Sequence, residues 1–457
     1  MEQRFDARLK DMLAQAEVAP DLIDGWLSRL KTFVRPFTAS LRAPEQHLHT
    51  VEYLTGLLSK LERKTGEAIA YLHDQERQGL QKFVGQVLWG HQPVLKTLAC
   101  QVGKDLGEPD AVLVFDPSAF PKKGTKSVGV ARQWCGRNGK VDNCQVGIFM
   151  AYVSRKDHAL VNMRLYLPEE WTKDRARCKA AGVPKTIGFK TRHELALEML
   201  DEQGPVLPHT WIAGDDEMGR PADFRLKLRE RGERYLLAVP SNTLVRDVET
   251  APPEQTGRGR PPMNPFVGVD RWCAALPESA WTTIVVRDGE KGPVTVDVVK
   301  RRVRARTPTG GTGPEEVLFM TREGQSNGKF KQDYYLSNAE IGVELRELAR
   351  VAKAEHRVED CFERGKSEAG LGDYQVRGWT AWHHHQTLAL LAAWFLNQEA
   401  RRGKNPGPGV DEPATAPPPC KCNRTISQRQ PCNCAEPSQH TLAETKRVGS
   451  LLLPSFS

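Results

Sequence analysis

Ala111-Val112-Leu113-Val114-Phe115-Asp116-Pro117-Ser118-Ala119-Phe120-Pro121-Lys122-Lys123-Gly124 is the stretch from which the fold of this chain is argued. The block Ser127-Val128-Gly129-Val130-Ala131-Arg132-Gln133-Trp134-Cys135-Gly136 follows it closely. Five apolar residues flanked by polar turn formers predict a strand buried on both faces, and this one ends in an acid. Such an acid is held by rigid backbone and faces the crevice where open α/β sheets bind ligands. Pro117 has no N–H for a ladder, so pairing is expected to stop there. Taken alone, Asp116 is better read as a cap for a loop or helix, and the rest of the chain decides between the two.

Outward from this strand, Cys144 to Val153 and Ala159 to Tyr166 are apolar runs joined by the short polar link Ser154 to His158, which predicts a hairpin. Thr191 to Glu202 carries an apolar stripe at helical spacing. Thr210-Trp211-Ile212-Ala213-Gly214-Asp215 is a second apolar strand ending in an acid. A helix from Asp223 and a strand over Arg234 to Pro240 follow, giving a βαβ crossover whose strands are parallel. An antiparallel hairpin followed by parallel units is the plan of an RNase H-like sheet. On that plan Asp116 and Asp215 end adjacent central strands. Ala354 to Glu368 supplies a third acid, since Glu359, Phe362, Glu363 and Lys366 share one helix face and Gly370 and Gly372 end the helix. Three converging carboxylates suit hard divalent cations, Mg²⁺ or Mn²⁺. Two such ions roughly 4 Å apart could activate a water or a 3′-hydroxyl and stabilise the leaving oxygen in phosphodiester attack. No Walker loop, dinucleotide-binding glycine fingerprint or nucleophile elbow is present.

The chain has 457 residues, 39% hydrophobic and 27% charged, with a net charge of +8, as expected for a soluble protein with a polyanionic partner. No apolar run approaches the roughly 20 residues of a membrane span, and the first residues lack the apolar core of a signal peptide. Scattered cysteines fit reduced thiols in a cytosol.

The motifs now carry a specific resemblance. Phe115 to Gly124, Ser127 to Gly136 with Asn143-Cys144-Gln145, and Ala213-Gly214-Asp215 with Gly219 are similar to the aspartate blocks of DDE transposases of bacterial insertion sequences. The chain resembles the IS-four-like superfamily, nearest its IS-seven-oh-one branch. Met218 stands where that family usually has tyrosine. Val358-Glu359-Asp360-Cys361-Phe362 with Lys366, Gly370-Leu371, Tyr374 and Trp379 to His383 resembles the glutamate block, and the likeness runs from residue 20 to about 400. The resemblance implies Asp116, Asp215 and Glu359 as the catalytic and metal-binding triad, with Lys366 contacting DNA at the cut end. Ala352 and Glu355 replace the tyrosine and arginine of the superfamily's signature, and Arg357 is a possible substitute on the same helix. That gap leaves a hairpin intermediate open. Asp216 and Glu217 rival Asp215, and Glu363 rivals Glu359.

The fold class expected is α/β: an RNase H-like catalytic core, a mixed sheet flanked by helices, with a β-rich insertion and an all-helical domain before it. Residues 1–105 are expected to be helical and DNA-binding, with breaks at Pro36, Pro44 and Pro93. Residues 106–240 and 346–400 form the core, and 241–345, too many for one loop, form the inserted subdomain. Its strand-like runs include Val294 to Val303, and Arg302, Arg304 and Arg306 alternate onto one face suited to a phosphate backbone. A charged edge strand that prevents aggregation is the alternative. Lys122, Lys123, Lys300, Arg302, Arg304 and Lys366 are the expected DNA contacts. Trp272 and Trp281 could stack on a flipped base but are expected to be buried. His383, His384 and His385 point to successive faces of a helix from Thr380 to Asn397, and at most His383 could reach the active site. Residues 401–457 read as a disordered tail. Within it Cys420, Cys422, Cys432 and Cys434 could hold zinc, at spacings unlike the common knuckle.

The expected partners are double-stranded DNA, as element ends and target, and a second copy of the chain in a synaptic dimer. The expected location is the bacterial cytoplasm at the nucleoid, with no membrane contact. An inactive or domesticated DNA-binding relative, or an RNase H-like nuclease without transposition, is the alternative.

Overall fold

The computed structural model describes residues 25–404 except 257, 259–261, 290–291 and 325–329. The described residues belong to one compact unit. The four tail cysteines proposed for zinc lie outside the described residues with the rest of the expected tail beyond Lys404, whereas its first residues, 401–404, are helical.

Helices open the described chain: α1 (Trp26–Thr38), α2 (Pro44–Leu58), α3 (Gly66–Leu72), α4 (Arg77–Gly85) and α5 (His91–Asp105). The three prolines expected as breaks behave differently. Pro44 is the first residue of α2 and Pro93 lies in the first turn of α5, where a missing N–H costs nothing. Pro36 lies inside α1, whose helix runs on to Thr38. One hydrophobic cluster extends from Leu30 in α1 to Phe395 near the C-terminus, so the boundary expected near residue 105 falls within a shared core.

One sheet of twelve strands follows. It begins with β1 (Val112–Pro121), β2 (Ala131–Cys135), β3 (Lys140–Val153) and β4 (His158–Leu165). After α6 (Arg192–Gln203) come β5 (Trp211–Gly214), α7 (Ala222–Glu230) and β6 (Arg234–Ala238). β3 runs antiparallel to both β1 and β4, whereas β5 is parallel to β1 and β6 parallel to β5. Capping matches the sequence signal at α6, where Thr191 accepts from Glu194 N and the Glu194 carboxylate accepts from Thr191 N.

Pro117 does not end the pairing as expected. β1 continues against β3 as far as Pro121 opposite Cys144, while its pairing with β5 ends at Phe115 opposite Gly214. Past Phe115 one side of β1 is therefore an open edge, and proline is tolerated on an edge.

The segment after β6 adds β7 (Leu244–Asp247), β8 (Val267–Gly268), β9 (Thr282–Gly289), β10 (Gly292–Arg306), β11 (Thr312–Gly324) and β12 (Phe330–Ser337). β12 pairs antiparallel with β6, so these strands extend the first sheet. They also enclose a small core of their own, including Val245, Val269, Val303, Leu318 and Met320. Helix α8 (Leu345–Ser367) starts nine residues before the expected Ala354 and crosses back over the first half of the sheet. Helix α9 (Trp379–Lys404) is buried along most of its length.

The histidine triplet belongs to this packing. His385 Nε2 donates to Gly370 O at 3.1 Å and its Nδ1 accepts from the Tyr53 hydroxyl at 2.9 Å, which ties α2 to α9. His384 stacks on Trp89 with ring centroids 3.7 Å apart. His383 bonds to Trp379 O at 2.9 Å and faces a different cavity from the one that holds the acids.

Candidate active site

Asp116 and Asp215 are brought together by strand register. Phe115 is paired with Gly214 across parallel β1 and β5, and the two aspartates are the next residues on those strands. The backbone around Asp215 allows no side chain at two flanking positions. A Cβ on Gly214 would lie 2.9 Å from Phe115 O, and one on Gly219 would lie 1.9 Å from Ala238 O. Between them Asp215 caps the short helix Asp216–Gly219, its Oδ1 accepting from Met218 N at 3.0 Å. The carboxylate is thus held by the backbone of the turn, with its side chain lining the cleft.

Helix α8 closes the arrangement. Leu348, Val351, Ala352, Val358 and Phe362 form its buried stripe, and the Phe362 ring meets Phe149 of β3 edge to face at 5.1 Å. Glu355, Glu359, Glu363 and Lys366 line a cleft of about 770 Å³ together with Asp116 and Asp215. The Lys366 ammonium lies 5.3 Å from the Phe362 ring centre.

The charges in this cleft are unbalanced. Burial, then the negative charges of Asp215, Glu355 and Glu359, raise the Asp116 pKa well above the ordinary carboxylate range, with Lys366 opposing. Burial raises Asp215 to about 6 against its backbone bond from Met218, and nearby Glu217 adds to the rise. Glu355 is pushed up to about 8 by burial, Asp215, Asp333 and Glu359. Asp116, Glu355 and Glu359 make no hydrogen bond or ion pair among the described residues. Asp116 and Glu355, half-buried carboxylates without partners, fit a bound cation, which would remove the cost of ionising them; Glu359 is exposed beside them. Among the described residues no group of three or more His, Cys, Asp or Glu side chains is placed to hold a metal ion. An open set still suits Mg²⁺, which is typically held by one or two carboxylates and keeps waters or phosphate oxygens elsewhere.

Comparison with known proteins gives the family. The sequence profile described as "DDE superfamily endonuclease" matches residues 36–293, more than half of the chain and inclusive of both aspartates. The chain belongs to the DDE superfamily of endonucleases. It is also 28% identical over 225 residues to a "Probable transposase for insertion sequence element IS701" from Microchaete diplosiphon. That match covers 48% of this chain and 53% of the relative, so the chain spans about half the length of the relative it matches. Among solved structures it is similar to a piggyBac transposase synaptic complex with hairpin DNA, at 11% identity and a TM-score of 0.39 over 79% of this chain and 67% of that one.

The rival acids beside Asp215 differ in their partners. Asp216 is exposed and paired with Arg220 at 3.6 Å, outside the cleft lining. Glu217 lines the cleft but is ion-paired with Arg192. Glu363, like Glu359, is exposed and lines the cleft, so exposure does not separate the two. Arg357, the possible stand-in for a missing arginine, is paired with Asp360 at 3.2 Å and does not line the cleft.

The expected DNA contacts are scattered. Lys366 lines the cleft and Lys123 is exposed nearby in sequence, but Lys122 packs its ammonium 3.4 Å over the Tyr374 ring and donates to Tyr374 O. Lys300 donates to Ile341 O and Val343 O. Arg302 lies near Glu249 and Glu315, and Arg304 near Glu315, at 3.5 to 3.9 Å. Trp281 lies under Arg322 at 4.4 Å, and Trp272 is partly buried against the smaller core.

Two cleft residues carried no functional reading in the sequence. Glu355 stood only for a missing arginine, although it lies four residues before Glu359 and so on the same helix face. Trp134 on β2 also lines the cleft, and its alternation with buried Cys135 was the available signal.

Proposed function

We propose that this DDE endonuclease is an insertion-sequence transposase that binds the terminal repeats of its element, cleaves beside them and joins the 3′-ends to target DNA. Asp116, Asp215 and Glu359 would hold Mg²⁺ or Mn²⁺. The observation that carries the reading is the register Phe115 to Gly214, which sets two aspartates side by side beneath the helix bearing Glu359. The order β4-β3-β1-β5-β6, an antiparallel hairpin followed by parallel strands, supports an RNase H-like core.

Bound divalent cations supply an activated water or 3′-hydroxyl and stabilise the leaving oxygen. The chain's residues do the positioning. Asp215 keeps one oxygen on the Met218 amide, so its carboxylate cannot swing away. Lys366, beside Asp116, offers a cation to a phosphate entering the cleft. The helical segment, Lys123 and the exposed face of β10 would extend the contact to duplex DNA; Arg302 and Arg304 join only by exchanging their carboxylate partners. Two DNA ends call for two copies of the chain, and the nucleoid is the place of action.

A nicking assay tests this reading, using DNA from the borders of the element that carries the gene. Nicks at the terminal repeats that need Mg²⁺ are expected. Binding to those repeats without nicking, under any divalent ion, would leave only a DNA-binding relative, and nicking indifferent to the repeats would leave a nuclease that does not transpose.

A further inference from the structure

The β2–β3 hairpin forms one wall of the acid cleft and carries an unusual surface. Trp134 is 55% exposed, and its cross-strand partner Val141 is 51% exposed. Among the described tryptophans Trp134 alone is in the exposed class, whereas Trp171, Trp211, Trp382 and Trp394 are fully buried. An indole left in water forgoes the stabilisation that burial gives its neighbours, so its position calls for a ligand rather than a packing role.

The charges around it point to the ligand's chemistry. Arg132, Arg137 and Lys140 are exposed on this hairpin; none makes a hydrogen bond or ion pair among the described residues, and Arg132 and Lys140 act on the Asp142 carboxylate at longer range while Arg137 faces the cleft. They contrast with Arg302 and Arg304 of β10, which lie against carboxylates. Arg137 lines the cleft with Lys366, and its charge helps hold the Lys366 pKa below the usual lysine range. A free aromatic face beside unpaired cations suits unpaired nucleic acid, in which each base offers a π-face and each phosphate a charge. Continuous duplex does not offer that face, because its bases are stacked on one another.

We propose that the β2–β3 hairpin captures an unpaired nucleotide at a DNA end, its base stacked on Trp134 and its phosphates against Arg137 and Lys366. This rests on the nuclease reading above. It assigns to the hairpin the task of distinguishing an opened end from intact duplex.

The test is fluorescence anisotropy of the full chain, in EDTA, with a labelled blunt duplex and with the same duplex bearing a short single-stranded overhang. Wild type is expected to bind the overhang about tenfold more tightly than the blunt end. Trp134→Ala should reduce overhang affinity to the blunt-end value, and Trp134→Phe should keep most of the preference. An overhang base replaced by 2-aminopurine should be quenched by wild type and not by Trp134→Ala. A preference that survives Trp134→Ala overturns the proposal. So does a change from dimer to monomer on that substitution with the overhang preference unchanged, since Trp134 would then be covered by a second copy. Wild type that binds both DNAs equally sinks only the hairpin's role, whereas wild type that binds neither sinks the nuclease reading as well.

Discussion

Burial and three carboxylates raise the Asp116 pKa, and Lys366 opposes them. Asp116→Asn should therefore fold normally and still bind DNA, while cleavage falls about a thousandfold or more, because one acceptor for the cations is gone. Gel-shift and nicking assays on the same preparation separate the two effects, and a parallel loss of binding would give Asp116 a structural role instead. Glu355 allows a cleaner reading of the electrostatics. Its folded pKa is raised to about 8, so the carboxylate favours the folded state only while protonated, and that contribution is lost as pH rises through about 8. Glu355→Gln is expected to stabilise the metal-free protein by up to about 4 kcal/mol near pH 8 and to change little below pH 4. Thermal melts across that range read the difference. A variant less stable than wild type at pH 8 would mean that an attractive partner, not repulsion, governs Glu355.

At the scale of elements, the turn between β5 and α7 bears the tightest geometric demand. Gly219→Ala would drive a methyl into Ala238 O, and a cost of about 3 kcal/mol or more is expected, with Asp215 displaced. Denaturant titration measures it, and a near-neutral result would show that the turn has room to relax. Tyr53→Phe should cost about 1–2 kcal/mol, since it leaves the buried His385 Nδ1 without its donor. Much of this was legible beforehand. The apolar runs ending at Asp116 and Asp215 and the stripe on α8 are local signals, and the β5–α7–β6 crossover follows from their order. What escaped the sequence depends on remote neighbours. The continuation of β1 through Pro117 requires knowing that β5 stops at Gly214. The pairing of Arg302 with Glu249 and Glu315 joins residues far apart in sequence. Glu355 needed the helix's rotation over the sheet, which places it in the cleft with Glu359.

For the whole molecule, the continuous twelve-strand sheet links the acid cleft to the strands that follow β6, through the single pairing of β12 with β6. That link runs behind Glu355, whose neighbours include Asp333 of β12. With a net charge of +8, DNA binding is expected to weaken steeply with salt, and each phosphate contact removed should reduce the slope of log affinity against log salt by about 0.9. Arg302→Ala with Arg304→Ala should leave the slope nearly unchanged if both stay with their carboxylates, and a drop of about 1.8 would show that they exchange them for phosphates. The most direct test of the shared cation site is a crystal grown with Mn²⁺ and a DNA end, measured at a wavelength where manganese scatters anomalously. Peaks roughly 2.0–2.3 Å from oxygens of Asp116, Asp215 and Glu359 are expected. A peak that bypasses any one of the three, or none in the cleft with DNA bound there, would contradict the account.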